Sequence, residues 1–155
     1  VLAAKSKLKI LNPEVIIETD DIFFDDINGE ELLLKTDVII DATDNIKSRQ
    51  KIDKISKKLK IPTVYGALFR FEGQVSILNV NGSAGYSDLF PSSNTYGEDS
   101  CADAGVLSML PAIIGNIQAL EAIKLILGIN NNLIGRLLMY DGMNHKTEVI
   151  ELWLM

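Results

Sequence analysis

The chain has 155 residues, 47% apolar and 23% charged, enough for one domain with its own core and too apolar for a disordered segment. Its net charge of −6 argues against wholesale nucleic-acid binding. Its longest uncharged stretch, Ala104 to Leu120, is interrupted by Pro111, Asn116 and Gln118, so it reads as a buried core helix rather than a membrane span. The single cysteine, Cys101, excludes an internal disulfide and fits a reducing cytoplasm.

Val1 to Leu11 has helical spacing, and Asn12-Pro13 ends it. Starting at Val1 inside a helical pattern, with no initiator Met, the chain is expected to be part of a longer protein. Val15 to Thr19 is a β-branched run and predicts a short strand. Ile27 to Lys35 is ambiguous, with a short helix as one reading. Asp37 to Asp41 encloses Val38, Ile39 and Ile40, the pattern of a strand buried on both faces.

Asn45 to Lys60 sets Ile52, Ile55 and Leu59 on one stripe of a basic helix, with Asp44 or Asn45 as its cap. The segment from Lys47 to Lys60 holds seven of the fifteen basic residues, set against an acidic stretch from Glu14 to Glu31. A solvated helix face accounts for it more simply than a partner patch does. Thr63 to Leu68 predicts another buried strand after Pro62. The alternation of helix and strand to this point is the signature of parallel βαβ units.

Glu72-Gly73 is a turn signal, and Gln74 to Val80 alternates like a half-buried strand, with Val75, Ile77 and Asn79 on one face. Asn81 to Gly105 is polar and aperiodic, a loop long enough to suggest function. A nearly all-apolar helix is expected from about Ser108 to Leu127, with Pro111 in its first turn or at a kink and Gly128 at its end. Arg136 to Tyr140 and Glu148 to Leu154 read as a hairpin joined through Asp141-Gly142, which leaves His145 in a surface loop. No repeat or linker divides the chain, so residues 1–155 form a single domain.

The chemistry concentrates at Asp41 and Asp44. In parallel α/β sheets ligands collect at the carboxyl ends of the strands, and a following helix N-terminus attracts anions. Two carboxylates there repel a phosphate unless Mg²⁺ lies between them. Asp41, Thr43, Asp44 and Asn45 therefore suit a metal-bound nucleotide. The alternative is purely structural, with Asp41 ending a strand and Asp44 capping a helix.

Four blocks carry a resemblance: "DVIIDATDN" from Asp37, "IPTVYGALFRFEGQVSI" from Ile61, "CADAGV" from Cys101 and "IGNIQALEAIKLILG" from Ile114. In this order and spacing, from Leu8 to about Asp141, the chain resembles the ThiF/MoeB/HesA family of ubiquitin-activating-type adenylyltransferases. The resemblance implies a Rossmann-like, mostly parallel sheet with antiparallel C-terminal strands, here as the C-terminal two-thirds of the domain without its N-terminal nucleotide loop. It implies ATP and Mg²⁺ as cofactors, a homodimer, and adenylation of the C-terminal Gly-Gly carboxylate of a ThiS- or MoaD-type β-grasp sulfur carrier. Thiamine and molybdopterin biosynthesis both use such carriers.

By the same resemblance Asp44 is the Mg²⁺ and triphosphate carboxylate and Asn45 its neighbour at the nucleotide. Asp41 is a neighbour in the site without a firm role. Arg70 serves either the adenylate or tail, or a structural carboxylate. Cys101 matches a cysteine that some members use for a covalent carrier adduct, and a loop residue without chemistry is the alternative. The segment of about 81–105 corresponds to a crossover loop that guides the carrier tail.

The sequence also departs from the family. The glycine-rich phosphate loop and its accompanying arginine and lysine are not in the chain, the lysine aligning just before Val1. Alone, the chain is expected to bind ATP weakly or not at all. Gly85 and Asp88 stand where many members place the first CxxC pair of a structural zinc site, so no zinc is expected. A NAD(P)-binding Rossmann oxidoreductase fragment and a non-catalytic binder of a β-grasp protein are the competing readings.

Overall fold

The computed structural model describes residues 1–91, 105 and 107–152. Its centre is a five-stranded sheet in the order β1-β2-β3-β4-β5, made of Ile39–Asp41, Thr63–Phe69, Glu72–Leu78, Arg136–Asp141 and Lys146–Glu151. β1 and β2 are parallel, with Asp41 in register with Tyr65. The remaining neighbours are antiparallel, so a parallel α/β unit passes into an antiparallel extension, as expected.

Five helices accompany the sheet among the described residues: α1 Leu2–Leu11, α2 Gly29–Leu33, α3 Ile46–Leu59, α4 Tyr86–Leu89 and α5 Leu110–Ile126. The βαβ unit is β1–α3–β2. Its packing follows from the stripe on α3: Ile52 meets Ile39 and Ile61, with Phe24, Leu33 and Leu59 closing the cluster. α2 and the turn before it are fastened to α3 by ion pairs of Lys58 with Glu30 and of Lys54 with Asp26, the latter at 2.7 Å.

On the opposite side of the sheet, α5 lays Leu110, Ile114 and Ala122 against Val64, Val75 and Ile77. Pro111 lies in its first turn, where a missing N–H costs nothing. The helix is buried along one face only. Leu120, Ile123 and Ile126 are 52%, 52% and 71% exposed, so core accounts for half of this apolar helix.

Four expectations are corrected. Val15 to Thr19 is not a strand; Ile16 is exposed, and the run pairs with no strand among the described residues. β-Branching supplies propensity, but a strand exists only through its ladder. Within β1, Ile39 and Asp41 are buried whereas Ile40 is half-exposed, because β1 lies at the sheet edge. β3 begins at Glu72 instead of turning there, and Arg70 (φ 52) and Phe71 form the bend. β3 is also buried on both faces: Val75 and Ile77 meet α5, and Leu78 joins Tyr65 and Tyr86 on the other side. A central position in the sheet overrides its alternating pattern.

The hairpin of β4 and β5 forms as read, though β5 starts at Lys146. Asp141 Oδ1 accepts from the backbone N–H groups of Met143 (2.9 Å) and Asn144 (3.0 Å), which holds the turn. No helix among the described residues is long and apolar enough to cross a membrane.

Candidate nucleotide site at the carboxyl ends of the parallel strands

β1 delivers Asp41 to the point where the chain leaves the sheet for α3. The carboxylate is only 3% exposed. Its Oδ1 accepts from Thr43 N at 2.9 Å and from Thr43 Oγ1 at 2.7 Å, a local turn closed by its own side chain. The carbonyl of Asp41 accepts from Gln118 Nε2 at 2.8 Å, and the same amide donates to Val64 O at 3.1 Å. α5 thereby ties the C-terminal end of β1 to the first half of β2.

The cap of α3 is Asn45, not Asp44. Asn45 has extended backbone angles, and its Oδ1 accepts from Ser48 N at 2.8 Å. Its Nδ2 turns back to Asp44 Oδ1 at 3.2 Å. Asp44 is exposed and accepts no other hydrogen bond among the described residues, so most of its lone pairs face outward there. Of the two expected roles for Asp44, the structure assigns capping to its neighbour and leaves the carboxylate unspent.

Arg49, one turn into α3, reaches back to the same bend. Its Nε and Nη2 donate to Thr43 O at 3.3 and 2.7 Å, and Nη2 lies 3.4 Å from Gly66 O. Its guanidinium stands 5.3 Å from the centroid of the Tyr65 ring. Thr43, Asp44, Arg49, Gly66, Gly115 and Gln118 are among the residues that line a cleft of about 210 Å³. Gly66 is there because Gln118 crosses it closely: a Cβ at 66 falls within 2.5 Å of Gln118 Nε2.

The sequence-predicted residues are not all gathered here. Asp41, Asp44 and Asn45 share the bend, but Asp41 is a buried brace and Asn45 a cap. Arg70 stands at the β2–β3 tip beside the Phe69 ring (5.1 Å) and does not line the cleft. Cys101 and residues 92–104 of the expected crossover segment lie outside the described residues. Arg49, Gln118 and Gly66 were not singled out from the sequence. A lone arginine between the lysines of α3 was the signal for Arg49, since only its fork can grip one carbonyl with two N–H groups.

A single outward carboxylate fits a magnesium ion that takes its other ligands from water and phosphate oxygens. Asp41 does not fit that role, because its accessible surface is small and one oxygen already accepts twice. Among the described residues no group of three or more His, Cys, Asp or Glu side chains is arranged to hold a metal. Asn45 spends its oxygen on Ser48, leaving an amide N–H for a ligand.

A wider depression of about 550 Å³ lies where α3 ends, lined by Lys57, Lys60, Pro62 and the turn at Asn79 to Ser83. Next to it, at the positions matching a zinc-site pair, stands a polar network. Asp53 accepts from Tyr86 N, Ser87 N and Asn79 Nδ2 at 2.8, 3.1 and 3.0 Å. Lys57 pairs with Asp88 at 2.9 Å. A Cβ at Gly85 falls within 2.5 Å of Asn79 Oδ1, so a cysteine there would displace the side chains of this network.

A βαβ unit whose strand end presents a carboxylate beside a helix N-terminus is the α/β arrangement in which ligands gather at the strand ends. The chain belongs to the ThiF family, whose model matches residues 1–153. It is 39% identical over 155 residues to the molybdopterin-synthase adenylyltransferase of Haemophilus influenzae, an alignment covering 98% of this chain and 63% of that protein. It is 38% identical over 148 residues to the sulfur carrier protein adenylyltransferase of Thermus thermophilus, covering 92% of this chain and 55% of the relative. The chain thus spans between half and two thirds of the length of these relatives. Among solved structures, E. coli MccB with ATP superimposes with a TM-score of 0.71 at 12% identity, covering 96% of this chain and 46% of MccB, a likeness of fold.

Proposed function

We propose that the protein containing this chain uses ATP to adenylate the C-terminal Gly-Gly carboxylate of a small ubiquitin-like sulfur carrier. The carrier's carboxylate oxygen attacks the α-phosphorus, pyrophosphate leaves, and the acyl-adenylate is ready for sulfur transfer. Its setting is thiamine or molybdopterin cofactor biosynthesis in the cytoplasm, and its assembly a homodimer. The observation that carries the reading is that Asn45 caps α3, which leaves Asp44 outward and unspent at the strand ends.

The difficulty of the reaction is electrostatic, since a carboxylate must approach a triphosphate. Bound magnesium supplies charge neutralisation. Asp44 holds that ion, and Asn45 donates its free amide N–H to the nucleotide. Arg49 adds a positive charge in the cleft wall, and Gly115, with nothing within 4 Å of where a Cβ would stand, leaves space for an extended chain terminus. Residues 1–155 act as one domain, with the segment of about 81–105 guiding the carrier tail. Adenylation itself needs no cysteine; Cys101 serves at most a later covalent carrier adduct. Both compared relatives are named adenylyltransferases, which favours this reading over a NAD(P)-linked oxidoreductase.

The test is ATP–pyrophosphate exchange by the full-length protein. Exchange stimulated by a Gly-Gly-ended β-grasp partner supports the proposal. A nicotinamide-dependent absorbance change points to the oxidoreductase reading, and carrier binding without exchange to the non-catalytic binder.

A further inference from the structure

We infer that Arg49 is a positioning residue that aims Asp44 by gripping the peptide in front of it; this rests on the adenylation reading for the purpose of the aim, though not for the grip. Asp44 accepts one long hydrogen bond, from Asn45 at 3.2 Å, and is exposed. A carboxylate held so loosely by its own contacts is aimed by its backbone. The oxygen of Thr43 and the nitrogen and Cα of Asp44 belong to one planar peptide unit, so fixing that oxygen fixes the N–Cα bond about which the Asp44 side chain turns, and the Asn45 cap on the following residue limits that turn.

Arg49 supplies the fixing with Nε and Nη2 on Thr43 O at 3.3 and 2.7 Å. The preceding peptide is fixed from the other side, where Thr43 N donates to Asp41 at 2.9 Å. Thr43 is thus held at both its amide and its carbonyl. Two further contacts hold the guanidinium itself, and two more hold the ring beneath it. Nη2 reaches Gly66 O on β2 at 3.4 Å. The guanidinium stands over Tyr65, and Tyr65 packs on Tyr86 of α4 (5.6 Å) and on Phe90 (6.0 Å). Among the described residues no carboxylate pairs with Arg49, so the guanidinium is spent on carbonyls and a ring. A lysine has the charge but not the fork, and cannot reproduce two N–H groups on one oxygen.

The experiment compares full-length wild type with Arg49→Lys and Arg49→Ala. The first readout is hydrogen–deuterium exchange of the segment spanning residues 41–48. The second is the magnesium dependence of ATP–pyrophosphate exchange, alongside thermal unfolding. Both variants are expected to lose protection at the Thr43 amide. Their half-saturating magnesium concentration should rise by about tenfold to a hundredfold, as for lost supports of a metal ligand. Carrier KM should move little, and lysine should not rescue.

Unchanged exchange protection in both variants overturns the clamp. A fall in melting temperature and kcat without a shift in magnesium half-saturation also overturns the aiming role, since it marks structural support alone. Full recovery by Arg49→Lys overturns the fork in favour of simple charge. If the wild type itself catalyses no pyrophosphate exchange, the adenylation reading falls, and the deuterium comparison still decides whether Arg49 holds the bend.

Discussion

Asp41 places one carboxylate oxygen on both donors of Thr43, the amide at 2.9 Å and the hydroxyl at 2.7 Å. A side chain so engaged, and 3% exposed, is a brace for the bend rather than a ligand of anything bound above it. The two roles make different demands. A brace needs one acceptor oxygen, which asparagine also has, whereas a metal ligand needs the charge. Asp41→Asn is therefore expected to retain pyrophosphate exchange and most of the stability. Asp41→Ala should lose about 2–3 kcal/mol, because buried donors are left without a partner. Urea unfolding of both variants together with their exchange rates checks this, and an inactive but well-folded Asp41→Asn protein would return Asp41 to the ligand set.

Asp44 is the converse case. Asn45 performs the capping, and among the described residues the Asp44 carboxylate has one weak contact, from the Asn45 amide at 3.2 Å, which an asparagine oxygen can also accept. Asp44→Asn in the full-length protein should change stability by no more than about 0.5 kcal/mol, as at other exposed positions. Pyrophosphate exchange should fall by more than about a hundredfold, beyond the loss typical of a metal ligand's supports. Wild-type exchange in that variant would remove Asp44 from the magnesium role.

These two residues show what the sequence could and could not convey. The apolar run before Asp41 and the stripe of α3 placed the βαβ unit correctly, because burial of an apolar face leaves a periodic trace. Which of Asp44 and Asn45 caps the helix was undetermined, since both side chains can accept from the first-turn amides. The answer depends on the backbone angles of a single residue. Arg49 was read as part of a solvated basic face; its contacts with Thr43 and Gly66 depend on how the strand ends meet the helix, information absent from local pattern. The strand expected at Val15 failed for the same reason. β3 forms as a strand, but its half-buried reading failed in the opposite sense, because helices cover both faces of the sheet there.

Gly66 carries a prediction that follows from the close crossing of Gln118. The amide that overlies Gly66 also holds Asp41 O and Val64 O, so a methyl group at 66 must push out the link between the two parallel strands. Gly66→Ala should cost about 1–3 kcal/mol from overpacking, plus part of the lost hydrogen bonding. Pairing it with a shortened partner, Gln118→Ala, should restore space but not the link. The double variant is then expected to be no less stable than Gly66→Ala alone, while magnesium-dependent exchange stays impaired. Additive destabilisation in a double-mutant cycle would show that the two side chains do not meet.

The network around α4 gives the acid dependence of the fold. The Asp88 carboxyl is held below the ordinary carboxylate range, first by the backbone N–H of Gly85 and then by Lys57. Burial pushes the Lys57 ammonium down, but its hydrogen bond to Asp88 and the nearby Asp53 charge outweigh this and raise it above its usual value. The signs give the window. A depressed carboxyl stabilises the fold above its unfolded pKa of about 4, and that contribution is lost as pH falls through the lower folded value. A raised ammonium stabilises below its unfolded pKa and loses the effect only in strong alkali, so both partners are fully charged at neutral pH. Asp88 is 45% exposed, which keeps the contribution small, and the effect is expected locally before it is felt globally. Residues 85–89 should therefore lose protection against deuterium exchange, relative to the intrinsic rate at each pH, below about pH 4. Asp88→Asn should show the faster exchange already at neutral pH and a flatter acid limb. Identical acid profiles for wild type and Asp88→Asn would show that the Lys57–Asp88 pair does not hold α4 against α3.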